Sequence, residues 1–166
     1  MMIWTLRQLL LGTHIFSAIL WVGGVLFIGW GVFPAVRFFT YENQRKFFHD
    51  LMQWTHWLFT GLGSIVILSG ILLGTIMGPI NNWEDVLHTT YGHIWFTALV
   101  IGTFTLLWGI VVGYRYSMAV FKNHVIWERA DSGQKKELFK ALTKLVALES
   151  VEGIGFVTLI YLMVII

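Results

Sequence analysis

Three long stretches of the chain contain no Asp, Glu, Lys or Arg, namely residues 8–36, 51–83 and 86–114. Each is longer than the ~20 apolar residues that a helix needs to cross the hydrocarbon core of a bilayer. A fourth apolar stretch, residues 145–166, is interrupted only by Glu149 and Glu152. The pattern predicts an all-α fold, a four-helix transmembrane bundle forming a single transmembrane domain over residues 1–166. The spans are predicted at about 8–34, 52–78, 88–114 and 144–166.

The remaining charges are distributed unevenly between the connections. Ten of the eleven Lys and Arg residues lie in the first and third connections, whereas the second carries Glu84 and Asp85 and no basic residue. Basic loops are retained in the cytoplasm. We therefore expect a multi-pass protein of the plasma membrane with the first and third loops cytoplasmic and both termini outside.

The third connection is also expected to contain helical structure. Asp131 or Ser132 is placed to cap a helix. Lysines lie on one side of this helix and apolar residues on the other: Lys135, Lys136 and Lys140 against Leu138, Phe139 and Leu142. We interpret it as a cytoplasmic extension of the fourth span.

Composition supports the membrane interpretation and limits the chemistry. Of 166 residues, 57% are hydrophobic and 12% are charged, against about 25% charged in a typical soluble domain. This balance excludes a cytoplasmic globular enzyme and a nucleic-acid-binding protein, and it makes the lipid bilayer the main partner. There is no cysteine, so disulfides and thiolate metal sites are excluded as well.

Three of the six histidines lie inside predicted spans, where ionisable residues are costly and are candidates for function. A rise of ~1.5 Å per residue puts His14 and His93 at similar depth, about 8–10 Å below the outer surface. His56 lies about 10 Å from the inner surface, on the side from which Glu149 and Glu152 approach.

The level pair His14 and His93 suits axial ligation of one heme iron. Trp21 and Gly24 follow His14 at helical spacing, and we expect them to give a flat macrocycle an aromatic wall and room. The second span carries the glycines Gly63, Gly70 and Gly74. They indicate either close helix packing or a smooth helix surface beside the macrocycle.

His56, Glu149 and Glu152 are predicted to form an inner group, either a proton path or a second site. The two glutamates share one helix face, and inside a span they should pair, with Lys144 or His56 as candidates, or stay protonated. Copper held by His14, His88 and His93 is the alternative to heme, although Cu(I) prefers sulfur ligands and no pair of methionines lines a span.

The first span, "THIFSAILWVGGVLFIGWGVFPAVRFF", resembles the opening helix of the copper resistance protein D (CopD-like) family, in which a histidine precedes a Trp-x-Gly-Gly motif. Here these residues are His14, Trp21, Gly23 and Gly24. It is also similar to the first helix of the HemJ-type protoporphyrinogen oxidases, and "YGHIWF" is similar to the place where those proteins carry a histidine. Their lysine shortly after that histidine is absent. The resemblance implies a four-helix membrane bundle that binds heme or handles copper.

Together these patterns predict a b-type heme protein with His14 and His93 as axial ligands. Its expected role is electron transfer or quinol-linked redox, so an enzymatic activity would be that of an oxidoreductase. A quinone, a redox partner protein or a second copy of the chain are the partners that this role allows. CopD-like copper uptake or resistance, HemJ-like porphyrinogen oxidation and a purely structural subunit are the alternatives.

Overall fold

The computed structural model describes residues 2–165, with side chains from residue 4 onward, and this part of the chain is helical with short connections. Four helical spans are long and apolar enough to cross a membrane: Trp4–Phe38, Tyr41–Gly74, Thr90–Lys122 and Lys136–Ile165. They are called the first to fourth spans below. The predicted all-α fold with four membrane-spanning helices is confirmed.

The described residues form eight α-helices, six within the spans and two in the connections between them. These are α1 (Met2–Phe27), α2 (Phe33–Ala35), α3 (Tyr41–Gly74), α4 (Trp83–His88), α5 (Thr90–Trp108), α6 (Tyr114–Lys122), α7 (His124–Asp131) and α8 (Lys136–Ile165). A π-turn, Ile28–Val32, joins α1 to α2, and a second π-turn, Gly109–Gly113, joins α5 to α6. A 3-10 turn, Val36–Phe38, ends the first span.

Local sequence explains where these helices begin and widen. The hydroxyls of Thr40 and Thr89 cap α3 and α5, and Asn82 forms a capping box with Asp85 at the start of α4. Pro34 has no N–H to donate to the preceding turn. The turn before it widens, and the N–H of Phe33 donates to the carbonyl of Ile28 in π geometry.

The helical spans do not coincide with the charge-free stretches: the first continues past both ends of residues 8–36, whereas the second begins before residues 51–83 and ends inside them, at Gly74. One prediction about a helix start needs correction. Asp131 and Ser132 do not cap the fourth span: Asp131 ends α7 and Ser132 is the residue that follows it. The expected extension of the fourth span is confirmed, since α8 runs unbroken from Lys136.

The spans pack in chain order, with α1 against α3, α3 against α5 and α6, and α5 against α8. The first and fourth spans meet at Trp21 and Phe156, whose ring centres are 5.1 Å apart in an edge-to-face contact. Among the described residues these two spans share no extended interface. The bundle is therefore closed on three sides and only partly closed on the fourth.

A cluster of buried side chains lies at the basic end of the bundle, which is formed by the first and third connections. Its members are Val36, Phe48, Val120, Phe121, Trp127, Ala130, Leu138 and Leu145. The Trp127 indole N–H donates to the carbonyl of Val120 at 3.0 Å, and its side chain is 1% exposed. This cluster joins α7 to the ends of the spans, since α7 packs on both α3 and α8.

Replacing Trp127 by Ala should destabilise the bundle by ~3–5 kcal/mol, because it removes a fully buried indole and leaves a cavity. The measurement is the thermal unfolding midpoint of the detergent-purified protein. The matched control is Trp54→Ala, since Trp54 is 82% exposed on a span. Equal losses in the two variants would contradict a structural role for the cluster.

Candidate functional site

A cavity of about 570 Å³ lies inside the bundle and has walls from all four spans. It extends to the basic end, where Phe48, Phe121 and Leu145 belong both to its wall and to the buried cluster. Trp21 lines its other end. Most of the wall is apolar, and the polar and ionisable groups on it include His56, Tyr114, Ser117, Glu149, Ser150 and Glu152.

The second π-turn makes room for the two glutamates. A Cβ atom on Gly109 would lie 2.9 Å from Oε1 of Glu152, and one on Gly113 would lie 3.0 Å from Oε1 of Glu149. Glycine at both ends of this turn lets the two carboxyl groups of α8 lie against the backbone of the third span. Short π-helical segments of this kind occur often at functional sites.

The two carboxyl groups differ in their partners. The Ser117 hydroxyl donates to Oε1 of Glu149 at 3.3 Å. Glu152 is 7% exposed and lines the cavity, yet no residue in the described part of the chain forms a hydrogen bond or ion pair with it. An uncompensated carboxylate at such a site is strongly destabilising, so Glu152 needs a proton or a ligand.

Neither predicted partner pairs with these carboxylates. The Lys144 ammonium lies 5.0 Å from the centre of the Tyr116 ring, and no ion pair joins it to an acid in the described chain. His56 stacks on Tyr114, with ring centres 3.8 Å apart and planes 13° from parallel. His56, Glu149 and Glu152 nevertheless line one cavity, and their role in moving protons stays a prediction.

His14 is half-buried and is held by the second span. Its Nδ1 lies 2.9 Å from Oγ of Ser69, and that same Oγ lies 2.6 Å from the carbonyl oxygen of Ile65. Because the carbonyl only accepts, the serine donates its proton to Ile65 and accepts one from Nδ1 of His14. In this arrangement Nδ1 is the nitrogen of His14 that carries the proton.

His93 is exposed, and its Nε2 donates to the carbonyl of Leu87 at 2.6 Å. The neighbouring face of α5 turns Trp95 toward the second span, where the indole N–H donates to the carbonyl of Gly70 at 3.1 Å. The contacts of His14 and His93 are thus made to different elements. Their joint ligation of a heme iron stays a prediction.

Side chains fill the space beside the small residues that suggested room for a macrocycle. A Cβ on Gly24 would lie 2.6 Å from the Phe59 ring. In the second span the glycines face Leu106 and Trp21 (Gly63), His14 (Gly70) and Trp95 (Gly74). These contacts are of the kind that lets membrane helices pack closely.

Sequence reasoning missed the partners that complete the inner group, Tyr114 and Ser117, and the two glycines of the π-turn. One signal was present: Gly109 and Gly113 are spaced four residues apart, as are residues on one helix face. The contact with Glu149 and Glu152 requires the third and fourth spans to be adjacent, which no short-range pattern encodes.

Comparisons with protein-family models, with curated proteins and with solved structures found no match to this chain. The resemblance to the CopD-like and HemJ-type proteins therefore stays a prediction from the quoted motifs.

We expect Gly109→Ala to be less stable than Gly61→Ala by ~1 kcal/mol, because the new methyl group at Gly109 would push the Glu152 carboxyl group aside. In a Glu152→Ala background the same change should cost much less, since the crowded group is gone. Thermal unfolding of the four proteins of this double-mutant cycle measures the coupling. Gly61→Ala is the control, as nothing lies within 4 Å of its Cβ position; equal costs in both backgrounds would contradict the contact.

Proposed function

We propose that this protein binds a ligand dissolved in the membrane. The ligand occupies the cavity lined by Glu149 and Glu152, called the inner cavity below, and these two glutamates are its polar anchors. The observation that carries the proposal is Glu152, which is more than nine-tenths buried, has no partner in the described chain and lies on the wall of a large apolar cavity. Intramembrane carboxylates generally mark ligand, ion or proton pathways.

The rim of the cavity supports entry from the bilayer. Trp30 on the first span is 80% exposed, and Ile154 and Val157 on the fourth are 67% and 66% exposed, and all three line the cavity. This is the side on which the first and fourth spans share no extended interface. In a bilayer these exposed apolar groups face lipid, so a hydrophobic molecule reaches the cavity without crossing water.

The charge pattern supports an orientation for this site. By the positive-inside rule the basic end is cytoplasmic, which puts the cavity in the inner half of the plasma membrane. Glu149, Glu152 and His56 then provide groups that exchange protons with a bound ligand on the cytoplasmic side.

A hydrophobic carbodiimide, dicyclohexylcarbodiimide, tests this proposal because it reacts with protonated carboxyl groups that are reached from the lipid phase. We expect it to modify Glu152 in membranes, as mapped by peptide mass spectrometry, and to leave the exposed Glu84 unmodified. Gly153→Leu should reduce the labelling several-fold, since Gly153 lines the cavity and has open space at its Cβ position.

Gly61→Leu is the matched control for that variant, because Gly61 has equal space but does not line the cavity. An unmodified Glu152, or equal labelling in the two leucine variants, would overturn the proposal.

Heme binding by His14 and His93, with electron transfer or quinol-linked redox, is a second candidate. One observation favours it: each imidazole donates one ring N–H to a protein group, to Ser69 and to the Leu87 carbonyl respectively. Metal-ligating histidines are commonly oriented by such a bond from the nitrogen that does not bind the metal. The side chains that occupy the space beside the glycines of the first and second spans do not favour heme binding.

If heme is bound, the purified protein should show a Soret band that His14→Ala and His93→Ala each abolish or shift, because each variant removes an axial ligand. An absorption spectrum of the detergent-purified protein decides this, with His124→Ala in the third connection as control. Absence of the band rejects heme. Stoichiometric copper without porphyrin would favour the CopD-like alternative, and rescue of a strain lacking protoporphyrinogen oxidase would favour the HemJ-like one.

A further inference from the structure

We propose that the ligand of the inner cavity is a hydrophobic organic cation, bound with its positive charge against Glu152 and Glu149. This inference rests on the proposed function, since it names the chemical class of the ligand of the same cavity. Three features of the cavity support it: its charge, its walls and its opening.

The cavity wall carries two carboxyl groups, Glu149 and Glu152, and no Lys or Arg of the described chain. His56 is the one base among the described residues of the wall; its ring stacks on Tyr114, and it forms no ion pair with either carboxyl group. Lys144 lies one residue before the wall residue Leu145 on α8, but its ammonium group lies over the Tyr116 ring. Because no group of the described chain pairs with Glu152, we take the charge that balances its carboxylate to come from outside the protein, as a cation or a proton.

The walls favour an organic cation over a metal ion. Ca²⁺ needs six or more oxygen ligands, and no group of three His, Cys, Asp or Glu side chains in the described residues is placed to hold a metal. The volume of about 570 Å³ is far larger than an inorganic ion requires. Rings of Trp21, Phe33, Phe59 and Tyr114 line it, and aromatic faces attract organic cations once water is removed.

The opening suits a molecule that partitions into the membrane. At the rim, Gly29 has no atom within 4 Å of its Cβ position, next to the exposed Trp30. A cation that carries apolar groups concentrates near the inner leaflet, whose anionic lipids attract it. It would enter between the first and fourth spans with its charge moving toward Glu152.

The test is equilibrium binding of tritiated tetraphenylphosphonium to the purified full chain, with binding of tetraphenylborate, an anion of the same shape, measured in a separate sample. We expect saturable binding of one cation per chain and no saturable binding of the anion. Glu152→Gln keeps the shape of the side chain and removes its charge, so affinity should fall at least about tenfold. Glu84→Gln, in the second connection, is the control and should bind as the wild type does.

A second pair of variants guards against misfolding as the cause. Gly153→Leu should lose binding by filling the cavity, whereas Gly61→Leu should retain it. Unchanged affinity in Glu152→Gln, or equal binding of the anion, would overturn the cation proposal.

Carbodiimide labelling separates this failure from failure of the proposed function. If Glu152 is labelled but tetraphenylphosphonium does not bind, the cavity is open to the membrane and the ligand class is wrong. Protection of Glu152 by decylubiquinol and not by the cation would identify a neutral quinol instead. If Glu152 is not labelled, the proposed function itself fails.

Discussion

A carboxyl group inside a membrane has to be neutralised by a proton, a cation or hydrogen-bond donors, and this requirement governs the half of the bundle that holds Glu149 and Glu152. Glu149 receives one hydrogen bond, from Ser117, and Glu152 receives none within the described chain. The third span accommodates both through a π-turn with a glycine at each end. The π-turn of the third span and the two carboxyl groups of the fourth span are therefore in direct contact, and the turn makes room for these polar groups.

The bundle is only partly closed between the first and fourth spans, and on this side the cavity that holds the two carboxyl groups faces the membrane. Apolar helices gain no hydrophobic free energy from association in lipid, so close packing and hydrogen bonds hold them together. Here glycines receive neighbouring side chains along the interface between the first and second spans, and Trp108 bonds across the interface between the third and fourth. The first and fourth spans meet at Trp21 and Phe156, and beyond this contact they leave the cavity between them.

His14 and His93 are predicted at the same depth, but they contact different parts of the structure. His14 and His93 were placed at one level by counting residues, and each has one ring nitrogen bonded to the protein. Depth depends only on the helical rise, but the direction of a side chain also depends on the rotation of its helix. Trp95, not His93, is the residue of α5 that contacts the second span at Gly70.

Much of the architecture followed from the sequence by itself, because charge is so costly in lipid that charge-free stretches mark membrane spans without knowledge of their neighbours. The four helices, their all-α class and the unusual position of Glu149 and Glu152 were found in this way. Only the tertiary structure decided that these acids lie opposite Gly109 and Gly113, that His56 stacks on Tyr114, and that an apolar cavity joins them. Those relations depend on which helices are adjacent and how each is rotated, and a single helix carries no information about either.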